Sequence, residues 1–219
     1  MKKPFRSIVA LLALLGTLGL SLSAAAQDAK AGEKKAAMCI GCHGIPDYKA
    51  TFPEVYRVPK IAGQNAKYII SALSQYKKGD RKHPTMRAIA ASLSDQDMAD
   101  LAAFYATEAK AEPVPAALAS PVPADVAALL QKGNCASCHG ANFSTPIDPS
   151  YPKLAGQHGD YLYVALREYQ TDKNALVGRN NAIMMGMARP FTPAEAKVLA
   201  AYFSSLPTEL KTVPQSRFR

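Results

Sequence analysis

The pentapeptide Cys-x-x-Cys-His occurs twice, as Cys39-Ile40-Gly41-Cys42-His43 and as Cys135-Ala136-Ser137-Cys138-His139, and the two copies use all four cysteines of the 219-residue chain. A chain built this way must fold around whatever the motifs hold. The spelling is that of c-type haem attachment: each thiol adds across a haem vinyl group to give a thioether, and the adjoining histidine falls beneath the iron. Other uses of such cysteines fit less well. A thioredoxin-type pair sits between a strand and a helix, and no strand pattern precedes Cys39 or Cys135. Two Cys-x-x-Cys pairs that share one zinc ion are normally separated by about 15–20 residues, whereas 92 residues lie between Cys42 and Cys135. Two disulfides would leave both histidines unexplained. Two haem c groups are expected, one on Cys39 and Cys42 and one on Cys135 and Cys138, with His43 and His139 as proximal ligands. The protein should therefore move electrons.

The N-terminus fits that chemistry. Lys2, Lys3 and Arg6 precede an apolar run from Ile8 to Leu22, and Ala24-Ala25-Ala26 supplies small residues for cleavage. This is the anatomy of a secretory signal peptide over residues 1–26, with an apolar run short of the roughly 20 residues a membrane span needs. Export to the periplasm is expected, and peripheral membrane contact stays open. Removing residues 1–26 takes away three positive charges and no acid, so the formal charge falls from +9 to +6, and four haem propionates would offset much of the rest. No arginine-rich run is interleaved with stacking aromatics, so nucleic acid is not an expected partner. Lys77, Lys78, Arg81 and Lys82, and the tail residues Lys211, Arg217 and Arg219, read first as solvated surface and second as a docking patch for an acidic redox protein.

The mature chain is an internal repeat. A Pro-rich segment, 112–123, with Pro113, Pro115, Pro121 and Pro123, cannot continue a helix and reads as a semi-rigid linker. It separates a first domain, 27–111, from a second, 124–219, with a basic tail. Each half opens with an alanine-rich helix, about Ala29–Met38 and Ala124–Lys132, that runs into the haem motif. A near-identical hexamer follows: Pro59-Lys60-Ile61-Ala62-Gly63-Gln64 against Pro152-Lys153-Leu154-Ala155-Gly156-Gln157. The next helix places Tyr68, Ile69, Ala72, Leu73 and Tyr76 on one face, and Tyr161, Leu162, Ala165, Leu166 and Tyr169 repeat it 93 residues on. Each half closes with a capped helix that begins at Ser94-Asp95-Gln96-Asp97 or Thr192-Pro193-Ala194-Glu195. The expected fold class is all-α, with three or four helices per half and no convincing strand. Domains this small have thin cores, which a buried porphyrin would fill.

A haem that shuttles electrons needs a sixth ligand, and a methionine thioether there raises the potential. Met38 adjoins the motif on the proximal side, and Met98 lies within a closing helix as a core residue. Met86 and Met184 each stand seven residues before the matching positions Leu93 and Phe191. They are the expected distal ligands, with Met185 and Met187 as competitors for Met184. His83 is a poorer candidate, since half two has no histidine at that place, and His158 reads as a helix-end or surface residue. Pro59 and Pro152 can offer backbone carbonyls to the proximal histidines. Tyr68, Tyr161, Gln64 and Gln157 are candidates for the propionates, with core packing an equal account of the tyrosines.

Together the two haem motifs, the Pro-Lys-[Ile/Leu]-Ala-Gly-Gln segments, the run from Met86 to Asp97, and the endings Leu101-Ala102-Ala103-Phe104-Tyr105 and Leu199-Ala200-Ala201-Tyr202-Phe203 resemble the cytochrome c4 family of dihaem cytochromes over essentially the whole mature chain. The resemblance implies two tandem class I cytochrome c domains related by an approximate two-fold, with propionate edges near each other. It implies His43 and Met86 on one iron and His139 and Met184 on the other. It also implies a monomeric carrier that takes electrons from a donor such as a bc1-type complex toward a terminal oxidase, with no substrate chemistry of its own. An electron-acceptor subunit of a periplasmic dehydrogenase stays open as an alternative. A dihaem peroxidase is less well matched, because both halves offer a distal methionine. Phe191-Thr192-Pro193 departs from the family's Leu-Ser-Asp opening of the closing helix.

Overall fold

The computed structural model describes residues 27–109, 114–116, 118 and 121–214. The expected signal peptide, part of the expected linker, and Arg217 and Arg219 lie outside the described residues. In half one the helices are α1 (Ala29–Lys35), α2 (Ala37–His43), α3 (Ala66–Lys78), α4 (Pro84–Ala91) and α5 (Asp95–Glu108); in half two they are α6 (Ala124–Lys132), α7 (Ala136–His139), α8 (Gly159–Gln170), α9 (Ala182–Ala188) and α10 (Pro193–Ser205). The expected first helix, about Ala29–Met38, is broken at Ala36. The Ala36 carbonyl accepts from the Cys39 and Ile40 amides at 2.8 and 3.1 Å and so begins α2, which carries the motif.

Local chemistry explains most boundaries. Asp28 caps α1 by accepting from the amides of Lys30 and Ala31. Both closing helices start with capping boxes, Ser94 with Asp97 and Thr192 with Glu195, which satisfy amides that a helix start leaves unpaired. Gly79 ends α3 at φ +86°, a conformation glycine adopts without steric penalty. Gly32 has a different role: a Cβ there would lie 2.0 Å from the Asp100 carbonyl oxygen. Only a glycine therefore lets α1 cross α5 this closely.

Each half has its own core. Ile40, Ile69, Leu93, Met98, Leu101 and Tyr105 pack together in half one, and Phe143, Leu162, Val164, Phe191, Leu199 and Phe203 in half two. Met98 is 1% exposed, in line with its expected packing role. The short strands were not legible in the sequence. β1 (Lys49–Ala50) pairs with β2 (Tyr56–Arg57), and β3 (Arg81–Lys82) of half one pairs antiparallel with β4 (Gly178–Arg179) of half two. Two residues are too few to show an alternating pattern.

The halves also exchange segments. The β1–β2 hairpin reaches across from half one, so that Tyr56 joins the core of half two. Arg57 donates from its backbone amide and from Nε to Asp160, both at 3.0 Å. In return, the chain after α10 crosses to half one, where the Lys211 amide bonds the Ala62 carbonyl at 3.0 Å and Val213 packs on the core. Between these arms the two hexamers clasp each other symmetrically. Gln64 accepts from the Lys153 amide at 2.9 Å and donates to the Lys153 carbonyl at 3.2 Å, and Gln157 does the same with Lys60 at 2.9 and 2.8 Å. Lys60 Nζ donates to Gly156 O and Lys153 Nζ to Gly63 O, both at 2.8 Å. Like meets like across the contact, the signature of an approximate two-fold.

Candidate haem sites

The motif histidines are held alike. His43 Nδ1 lies 2.8 Å from Pro59 O, and His139 Nδ1 lies 3.0 Å from Pro152 O. A carbonyl can only accept, so Nδ1 carries the hydrogen and Nε2 keeps its lone pair. Burial lowers the pKa of both rings, which favours the neutral form that binds a metal. A proline has no amide hydrogen of its own, and its carbonyl is spent on orienting the imidazole.

None of the four cysteines is in a disulfide. Burial pushes the Cys39 and Cys135 thiols up, opposite to the lowered thiol of a thioredoxin-type pair. Among the described residues no group of three or more His, Cys, Asp or Glu is placed to hold a metal ion, so the two pairs do not converge on a zinc site.

The methionines follow the repeat. Met86 is the third residue of α4, where its amide donates to the N-cap His83 at 3.3 Å; Met184 is the third residue of α9, where its amide donates to the N-cap Asn181 at 3.0 Å. Both side chains are half-buried, as is that of Met185, while Met187 is 43% exposed. His83 therefore serves as a cap, the task Asn181 performs in half two. This explains why half two needs no histidine there.

Several expectations are corrected. Gln64 and Gln157, candidates for the propionates, serve the clasp, which uses each Oε1 and one N–H of each Nε2. His158 is a helix-end residue but not a surface one: it is 8% exposed, and burial, with Lys60 and Arg57 nearby, lowers its pKa to about 4. Arg81 is not solvated surface either. It is 5% exposed and faces Arg179, 6% exposed, in the β3–β4 ladder. Arg81 stacks over Tyr76 at 4.6 Å and donates to the hydroxyls of Tyr68 at 3.2 Å and Tyr161 at 2.5 Å. Arg179 packs over Tyr161 and Tyr169 and pairs with buried Glu168 at 2.6 Å. Arg81 and Arg179 stand 98 residues apart, the same offset as Met86 and Met184, and each lies five residues before its methionine. That offset was the available signal; the surrounding lysines masked it.

Two buried guanidiniums lie here with one buried carboxylate, which pairs with Arg179, and Arg81 Nε has no hydrogen-bond partner. A buried donor of this kind calls for an anion. Burial alone would raise the Tyr161 hydroxyl, yet Arg81 and Arg179 outweigh it and bring it down to about 8. The residues present fit haem: paired cysteines, histidines whose Nε2 keeps its lone pair, and a buried surplus of positive charge that suits its propionate anions.

Comparison with known proteins agrees. The Cytochrome c family profile matches residues 29–107 and again 123–207. The chain is 32% identical to cytochrome c4 of Azotobacter vinelandii, over 90% of this chain and 98% of that one. It is 33% identical to the thiosulfate dehydrogenase electron acceptor of Stutzerimonas stutzeri strain A1501, over 89% and 94%. The structure of reduced cytochrome c4 from Pseudomonas stutzeri superposes with a TM-score of 0.57 at 26% identity, covering 83% of this chain and all of that one. With a haem motif in each of two tandem domains and relatives matched over nearly their full length, the chain belongs to the cytochrome c4 family, as a dihaem c-type electron carrier.

Proposed function

We propose that the chain is a periplasmic carrier that takes electrons from a respiratory donor such as a bc1-type complex and passes them toward a terminal oxidase, with no substrate chemistry of its own. Residues 1–26 act as the export signal, and 27–111 and 124–219 form the two domains, joined by 112–123. Cys39 and Cys42 hold one haem and Cys135 and Cys138 the other. His43 with Met86, and His139 with Met184, are the axial ligands. The haems supply the one-electron chemistry, ferric to ferrous and back. The chain's residues fix the imidazole tautomer through the Pro59 and Pro152 carbonyls, present a methionine from a capped helix start, and keep water from the sites. The observation that carries this reading is the duplication: both halves set a histidine on a proline carbonyl and a methionine at the third position of a capped helix. Among the described residues no helix is long and apolar enough to cross a membrane.

A second reading has its own support. The match to a thiosulfate dehydrogenase electron acceptor covers as much of this chain as the match to cytochrome c4 of Azotobacter vinelandii does, within one percentage point. On this reading the chain is the electron-accepting partner of a periplasmic dehydrogenase. Copurification from native membranes and periplasm separates the two: recovery with a catalytic dehydrogenase subunit supports the second, and recovery with a bc1-type complex or an oxidase supports the first. Both require two c-type haems per chain with methionine-to-iron absorption in the near infrared.

A further inference from the structure

Each closing helix carries two adjacent aromatics, and their order is inverted between the halves: Phe104-Tyr105 in α5, Tyr202-Phe203 in α10, at an offset of 98. The second position is the inner one in both. Tyr105 and Phe203 are each 4% exposed, and they belong to the cores on which Cys39 and Cys135 pack. Phe104 and Tyr202, at the first position, are half-buried. The inversion puts a hydroxyl inside half one, whereas the hydroxyl of half two, on Tyr202, belongs to the outer position.

A buried hydroxyl needs a hydrogen-bond partner. Tyr105 Oη has no nitrogen or oxygen partner among the described residues, and the atom that it faces is Cys39 Sγ. Burial, with Cys39 next in effect, pushes the hydroxyl well up, so it keeps its hydrogen and can donate. Cys39 is a point of haem attachment. When its S–H adds across a vinyl group, the hydrogen goes to one vinyl carbon and the sulfur to the other, and the thioether is left with lone pairs and nothing to donate. Hydroxyl and sulfur then match as donor and acceptor. Phe203, beside Cys135, has no hydroxyl to offer. We propose that Tyr105 is a positioning residue for the half-one haem: its hydroxyl donates a hydrogen bond to the thioether sulfur of Cys39 and fixes the rotation of that sulfur about its two bonds. In half two the Cys135 sulfur is turned by packing alone. The inference rests on the dihaem reading above.

The test is resonance Raman spectroscopy of the C–S stretching bands of the reduced holoprotein in H2O and in D2O. A sulfur that accepts a hydrogen bond has a C–S band that shifts when the donor is deuterated. Tyr105→Phe should lose one such shift that the wild type shows, and Phe203→Tyr, which gives half two the inner hydroxyl, should gain one. Ser137 Oγ lies 3.7 Å from Cys138 Sγ at an exposed place; it is present in wild type and both variants and cancels in the comparison. A tyrosine that only packs would leave the C–S bands of Tyr105→Phe as deuterium-sensitive as those of the wild type, and that result overturns the proposal. So does a Phe203→Tyr protein that holds two haems and gains no shift. If Phe203→Tyr does not mature with two haems, wild type against Tyr105→Phe decides alone. Two haems per wild-type chain with no such loss overturn the proposal and leave the dihaem reading intact, whereas fewer than two overturn both.

Discussion

Half one and half two carry the same site with different support. In both, the histidine rests on a proline carbonyl and the methionine opens a capped helix. Around that constant the halves diverge. Pro59 stands 16 positions after His43 and Pro152 only 13 after His139, and the longer loop is what forms the hairpin that carries Tyr56 into the neighbouring core. Half one crosses its first and last helices over Gly32; α6 of half two contains no glycine. The cap of the distal helix is His83 in one and Asn181 in the other. Duplication has kept the histidine, its proline carbonyl, the methionine and the hexamer clasp, and let drift the hairpin, the helix crossing and the cap.

The comparison is sharpened most by exchanging ligands. Met86→His should lower the potential of the half-one haem strongly, because histidine replaces the thioether that raises it, and Met184→His should do so for half two alone. Met187→Leu should leave both waves in place, since Met187 is 43% exposed. A redox titration read haem by haem checks all three, and equal shifts of both waves in either histidine variant would break the two-site account. Next in size is Tyr56→Ala. Truncating a buried aromatic costs about 3–5 kcal/mol, and this cost should fall on half two although the residue belongs to half one. Denaturant unfolding followed at each haem reports which half loosens first; loosening confined to half one would contradict the exchange.

Gln64→Ala leaves the Lys153 amide and carbonyl unpaired, for which about 1–3 kcal/mol is expected, and Gln157→Ala should match it through Lys60. Calorimetry on the pair tests the symmetry of the clasp: similar losses support it, and a one-sided loss would break it. Ser94→Ala and Thr192→Ala are expected to be the mildest, at about 0.5–2 kcal/mol each, with nearly equal melting shifts. The paired acids differ in kind but not in role: Lys132 and Thr192 hold Glu195 down to about 2, and Lys35 and Ser94 hold Asp97 low. A carboxyl lowered in the folded state contributes stability that is present above its ordinary pKa and is lost as pH falls toward the lowered one. Both contributions should therefore fade below about pH 4.

What was legible in the sequence was what repeats. The motif pairs, the capping boxes and the offset that matches Met86 to Met184 rest on local chemistry at fixed spacing. The helix break at Ala36 and the two-residue strands were not legible, because tertiary contacts set them and they are too short to show a period. The hexamers are visible as near-identical, and in sequence only their prolines and glutamines suggest tasks at the haem. Their likeness has a second cause, a two-fold contact in which each copy meets the other. Arg81 was misplaced because Lys77, Lys78 and Lys82 around it are the pattern of a solvated loop. Tyr76 and Tyr68 of its own half, with Tyr161 and the strand of Arg179 in the other, draw it inside, and charge runs carry no record of such partners.

The central claim is that each half holds its own haem through its own motif. It is tested most directly by counting haems per chain as the denatured haemochrome in the wild type, in Cys39→Ala with Cys42→Ala, and in Cys135→Ala with Cys138→Ala. The account predicts two, one and one, with the remaining haem in each double variant keeping its methionine-to-iron absorption. A wild type with one haem or none, or a double variant that still holds two covalently, would contradict it.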